Sequence, residues 1–190
     1  MEIIEQRILK DGVIINDDIL KVDSFLNHQI DVGLLRDFAT ETRKQFAPFA
    51  IDKILTIETS GIAVAYAVCE AFGDLPLLFA KKSKSKTMMD DGFYQAESKS
   101  FTRGTTSLIY VRKDYLKVGE KILLVDDFLA EGNASLALLR LCEQAGAQAV
   151  GLATVIEKRF QGGRDKLEAK GLKVFAGASI KAFSNGKPVF

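Results

Sequence analysis

The sequence predicts an α/β domain built on a mainly parallel sheet covered by helices on both faces. Three observations carry this. Residues 122–125, 149–156 and 172–180 are apolar runs of the kind found in strands buried on both sides. Stretches with helical apolar spacing lie between such runs. The chain has 190 residues, enough for one sizeable core and too few for two ordinary ones, so a single domain over 1–190 is expected.

Taken in order, residues 1–30 mix short apolar groups with turn formers such as Asp11-Gly12 and Asn16-Asp17-Asp18. Asp31 is placed to cap a helix whose stripe is Leu34, Leu35, Phe38, Ala39, Thr42 and Phe46, ending before Pro48. A strand over 53–57 leads through Glu58-Thr59-Ser60-Gly61 into a small-residue helix over 62–72, and a strand over 77–80 follows. Residues 81–101 are polar and lysine-rich, a hairpin excursion or functional loop. Strands over 107–112 and 122–125 precede a helix over 134–145, stopped by Gly146. In a sheet of this kind, ligands gather at the carboxyl ends of the strands.

The totals exclude several functions. A formal net charge of +1 argues against a polyanion binder. Cys69 and Cys142 show no metal or redox spacing and read as buried hydrophobes in a reducing compartment. The charged N-terminus lacks a signal-peptide core and no apolar run reaches membrane-spanning length, so a cytoplasmic location is expected.

The most informative segment runs from Lys121 to Ser135. An apolar strand meets Asp126 and Asp127, then a loop containing Gly132, then a helix. A loop feeding a helix N-terminus presents free N–H groups and a favourable dipole, a phosphate site. Two carboxylates beside it suit the hydroxyls of a sugar, or Mg²⁺. Gly132 is followed by Asn133 rather than Lys-Ser/Thr, which excludes an ordinary P-loop. Read alone, the pair also serves as acidic residues at a helix start.

Val125-Asp-Asp-Phe-Leu-Ala-Glu-Gly-Asn-Ala134 resembles the phosphoribosyl-diphosphate (PRPP) motif of the type I phosphoribosyltransferases. The stretches Leu20–Asp31, Thr56–Ala63 and Val155–Gln161 are similar to the bacterial xanthine phosphoribosyltransferases, and less closely to the adenine enzymes. The resemblance implies a type I fold with a small hood built from about residues 1–30 and the C-terminal segment. It implies transfer of ribose 5-phosphate from PRPP to xanthine in purine salvage, with Mg²⁺ accompanying PRPP and a homodimer as the working form.

By position, Ala130, Glu131, Gly132, Asn133 and Ala134 would wrap the 5-phosphate. Asp126 and Asp127 would accept from the ribose hydroxyls and stabilise an oxocarbenium-like transition state. Leu20, Asn27 and Lys158 would meet the purine, the lysine donating to an oxygen of a 6-oxopurine. Glu58–Ile62 would bind pyrophosphate, with Lys81 or Lys82 reaching it from the same or a neighbouring subunit. Tyr94, Ser98 and Phe101 lie on the stretch expected to close over the site, and Phe25 is a candidate for stacking on the base.

This chain has Ala130, Asn133 and Ala134 where many type I enzymes have Thr or Ser hydroxyls, a departure that shifts the work to backbone groups and leaves Asn133 and Ser135 as the side-chain donors. Glu131 would repel a phosphate, so its side chain is expected to face solvent. His28 is read as structural. The alternatives are a guanine/hypoxanthine or adenine enzyme, or a PRPP-sensing regulator that binds nucleic acid.

Overall fold

A computed structural model of the chain describes residues 1–16, 18–83, 92–99 and 106–190. Its centre is a five-stranded parallel sheet in the order β4–β3–β7–β8–β9, formed by β3 (Lys53–Ile57), β4 (Leu77–Ala80), β7 (Lys121–Leu129), β8 (Gln148–Lys158) and β9 (Lys173–Ile180). The strands alternate between two hydrophobic layers. Leu123 and Val125 of β7 join one layer with α2 (Val32–Gln45) and α3 (Gly61–Ala71), while Ile122 and Leu124 join the other with α4 (Asn133–Ala145) and α5 (Gly163–Glu168). That two-sided burial is why these strands read as unbroken apolar runs.

Local signals explain the helices. Asp31 caps α2 by accepting from the Leu34 N–H at 3.0 Å, and that N–H together with an ion pair to Arg7 holds its carboxyl below the usual range. The predicted stripe is the buried one, from Leu34 through Phe46. Gly146 ends α4 in the left-handed conformation, φ 68°.

Three features differ from the sequence reading. Residues 2–11 form a helix, α1 (Glu2–Asp11), whose Ile4 and Ile8 enter the core and whose N-terminus bonds Gly177 of β9. Only two apolar residues mark its buried face, too thin a stripe to read. Strand β7 continues through Asp126 and Asp127 to Leu129, because β8 pairs with it along that length. Phe25 is fully buried against Arg7 and cannot stack on a ligand.

The polar excursion after β4 returns as a hairpin, β5 (Phe93–Lys99) with β6 (Thr106–Arg112). Tyr94 and Ser98 lie on its stem, which α4 holds through Gln144 Nε2 to the Gln95 carbonyl at 2.8 Å. Phe101, Lys84, Lys86, Asp90 and Asp91 lie outside the described residues. Two further hairpins, β1 (Val13–Ile15) with β2 (Ile19–Lys21) and β10 (Ala182–Ser184) with β11 (Lys187–Val189), lie apart from the main sheet in the N- and C-terminal segments.

Candidate active site

From β3 the chain winds through α3 to β4 on one side, and from β7 through α4 to β8 and β9 on the other. The reversal falls between β3 and β7, and a crevice outside the carboxyl ends of two such strands is where α/β sheets bind ligands. Two segments reach it. Residues Glu58–Gly61 follow β3, and Asp126–Ala134 end β7 and begin α4.

The two segments touch. A Cβ on Gly61 would collide with Thr56 Oγ1 and stand 3.0 Å from Asp126 Oδ1, so only glycine lets α3 start this close to the carboxylate. Asp126 and Asp127 are 5% and 9% exposed, and the Asp127 N–H donates to Asp126 Oδ1 at 3.0 Å. Burial raises the Asp126 carboxyl well above the usual range, the adjacent Asp127 charge adds to this, and the Lys82 ammonium opposes it. The backbone N–H of Lys82 donates to the Glu58 side chain, which sets this lysine beside the loop after β3 of its own chain.

Next comes the loop. Gly132 is the N-cap of α4 with φ 81°, and no side chain caps this helix end. The first N–H groups of α4 consequently face outward without intrahelical partners. With no β-carbon, Gly132 also clears Gly163, whose Cα would lie 3.2 Å from one. The Glu131 side chain is half-buried rather than standing in solvent, because the Asn133 amide donates to its Oε2 at 2.8 Å. Asn133 is thus engaged in restraining that carboxylate.

Lys158 ends β8, one strand from the carboxylates and one residue past Glu157, the register partner of Leu129. It is 6% exposed and donates to the Asp18 carbonyl at 2.6 Å. Burial lowers its pKa from the ordinary lysine value, with the Asp18 charge opposing. Its Nζ sits 5.8 Å from the Phe183 ring, which packs edge-on against Phe160 at 5.5 Å. The turn before β2 and the C-terminal hairpin therefore meet at this lysine.

This arrangement offers an anion cradle, two hydroxyl acceptors and one buried cationic donor in series. The model of the phosphoribosyl transferase domain matches residues 21–184. The chain belongs to the phosphoribosyltransferase family. The xanthine phosphoribosyltransferase of Ruminiclostridium cellulolyticum is 48% identical over 190 residues, covering all of this chain and 99% of that one. That of Staphylococcus carnosus is 46% identical over 187 residues, covering 98% and 96%. Among solved structures, the adenine phosphoribosyltransferase of Rhodothermus marinus superposes with a TM-score of 0.74 at 22% identity, covering 95% of this chain and all of that one. The adenine enzyme of Trypanosoma brucei, in complex with AMP, pyrophosphate and ribose-5-phosphate, gives 0.77 at 16% identity, covering 97% and 82%. These two show the fold.

Within this phosphoribosyltransferase, Asp126 stands against Gly61, Lys82 against Glu58, and residues 130–134 join the end of β7 to α4, while Lys158 ends the neighbouring strand β8. Leu20 and Asn27 belong to the N-terminal segment. Leu20 is buried in β2, two residues from the carbonyl that holds Lys158, and Asn27 is exposed at the end of a π-helical turn, Asp23–Asn27. Sequence patterns alone assign no role to Phe160, Phe183 or Gly163. The Gly162-Gly163 pair is the one signal for the last, since adjacent glycines often mark a close backbone approach.

Proposed function

We propose that this phosphoribosyltransferase moves the 5-phosphoribosyl group of PRPP onto a ring nitrogen of xanthine, releasing pyrophosphate and forming xanthosine 5′-monophosphate. The observation that carries this is the uncapped start of α4 beside a buried carboxylate pair at the β3/β7 crevice, with a buried lysine one strand away. The names of the full-length relatives supply xanthine as the acceptor.

In this reading the N–H groups at 130–134 hold the 5-phosphate, and Asp126 and Asp127 hold the ribose hydroxyls. Placing the anomeric carbon between acceptor and leaving group accomplishes most of the work, because positioning alone removes much of a bimolecular barrier. The two carboxylates also stabilise positive charge as the ribose becomes oxocarbenium-like. Glu58–Gly61 and Lys82 face the departing pyrophosphate. Lys158 exchanges the Asp18 carbonyl for a purine oxygen, while Leu20 and Asn27 border the base. Phe160, 45% exposed beside Lys158, offers the ring face that the buried Phe25 does not.

Magnesium enters as part of the substrate. No cluster of three acidic, histidine or cysteine ligands stands among the described residues. One or two carboxylates plus substrate phosphates is a usual arrangement for this cation, and the Asp126–Asp127 pair fits it. Bound there, it would neutralise the charge of the leaving pyrophosphate.

A homodimer is part of the same proposal. A groove of about 870 Å³ between α2 and α3 exposes Ile30, Val32 and Tyr66 and reaches Thr59 of the pyrophosphate loop. Such an exposed apolar face suits a second copy. Light scattering is expected to give twice the monomer mass, and Tyr66→Asp is expected to halve it; a monomeric wild type would refute the dimer. The reaction is placed in the cytoplasm, where the buried free thiols of Cys69 and Cys142 stay reduced. No helix among the described residues is long and apolar enough to cross a membrane.

The direct test is pyrophosphate release with PRPP and a panel of xanthine, guanine, hypoxanthine and adenine. Turnover is expected to be fastest with xanthine, and absence of turnover on every base would overturn the reading. Preference for guanine or hypoxanthine would keep the mechanism and change the acceptor, since Lys158 donates equally well to any 6-oxopurine.

A further inference from the structure

We propose that the ion pair between buried Glu157 and half-buried Arg164 is a positioning device for the phosphate loop, acting through the short helix α5. The proposal rests on the phosphate-binding reading of residues 130–134 given above.

The chain of contacts is continuous. Glu157 is 1% exposed at the end of β8. Arg164 grips it with both arms, Nε to Oε1 at 2.8 Å and Nη2 to Oε2 at 2.7 Å. The third nitrogen reaches the Val174 carbonyl of β9 at 2.9 Å and Glu168 at 3.3 Å, and Ser179 Oγ donates to Glu157 Oε2 at 2.8 Å. The guanidinium thus pins the first turn of α5 to β8 and to the edge strand β9. Only a planar fork can make these bonds at once.

The same short helix also meets the loop. The Gly163 N–H donates to the Ala130 carbonyl at 3.1 Å, and Lys166 Nζ donates to the Glu131 carbonyl at 2.9 Å. A β-carbon on Gly163 would strike the Ala130 carbonyl and lie 2.8 Å from the Gly132 nitrogen. The backbone of 130–132 therefore has α5 as one wall. Two of its carbonyls are held from that side, and holding a carbonyl fixes the peptide plane that carries the next N–H. The polar atoms of Glu157 and Arg164 bond one another, Val174, Glu168 and Ser179, so their contribution comes through the placement of those N–H groups.

An ion pair serving only stability would behave differently from one that aims a loop. Arg164→Lys keeps the charge, and with it the compensation of buried Glu157, but loses the fork. We expect the KM for PRPP to rise about tenfold, as a displacement of under an ångström can cause, with the KM for xanthine within about twofold of wild type. Lys166→Met removes one loop contact at an exposed side chain, so its fold is not at risk, and a smaller rise of about threefold in the same constant is expected. Calorimetric titration with ribose 5-phosphate should show weakening in the same order. If wild type binds ribose 5-phosphate and both variants match it within twofold, the positioning role is refuted. An equal rise in both Michaelis constants refutes it as well. If wild type itself fails to bind ribose 5-phosphate, the phosphate loop reading falls and takes this proposal with it.

Discussion

Replacing Asp126 with asparagine is expected to raise the melting temperature by about 2–4 °C at pH 7, the shift of roughly 1 kcal/mol in a domain of this size, while cutting turnover about a hundredfold or more. The two effects have one cause. Asp126 is buried next to a second carboxylate, and burial first, then that neighbour's charge, hold its carboxyl well above the usual range. The folded state therefore favours the neutral form. Stability from this group is fully present below its ordinary value of 3.8 and is lost as pH rises toward the raised folded value. At neutral pH the wild type bears that cost and the amide does not. An asparagine still accepts the Asp127 N–H, so packing is retained. Melting curves from pH 4 to 8 should separate progressively, the variant gaining as pH rises. A variant that is less stable than wild type across the whole range would show that the carboxylate is net stabilising and sink the argument. The activity loss follows because an amide cannot offer negative charge to an oxocarbenium-like sugar.

Lys158→Ala is expected to raise the KM for xanthine by one to two orders of magnitude, with the KM for PRPP nearly unchanged. A charged donor to a buried acceptor is worth about 1.5–3 kcal/mol, which sets that range. In the free protein the ammonium is held by the Asp18 carbonyl at 2.6 Å and lies over Phe183, in a place where burial already depresses its pKa. Lowering a lysine pKa weakens its hold on a proton, so the wild-type KM should begin to rise at lower pH than an exposed lysine would cause, while the alanine variant shows no such limb. Equal loss for both substrates would place Lys158 in general scaffolding instead of at the base. Adenine should gain relative to xanthine in the variant, because the residue that disfavours an exocyclic amine has been removed.

The aspartate behind the first prediction is legible in the amino-acid sequence. The strand entering Asp126-Asp127, the glycine loop and the helix start are contiguous in sequence, and local rules of strand patterning and helix termination place them. The Asp31 cap and the α2 stripe are legible for the same reason. What escapes a linear reading is of another kind. Helix α1 shows only Ile4 and Ile8 as its buried face, a signal that becomes clear only when β9 is beside it. The end of β7 is set by pairing with β8 rather than by its own residues, and polar Asp126 gives no local reason to continue a strand. Repulsion predicts Glu131 in solvent, yet a neighbour two residues on, Asn133, tethers it.

Fold class, the order of the main strands and helices, and the carboxylates with their phosphate loop follow from the order of residues alone, because each depends on interactions within a few positions. The side-by-side placement of β3 and β7, which brings Gly61 against Asp126, comes from packing between segments far apart in the chain. The same packing buries Lys158 under the turn at Asp18, and sets Arg164 and Gly163 to brace the loop at Ala130. No local pattern encodes these arrangements, since the energy of each contact exists only once the sheet has formed.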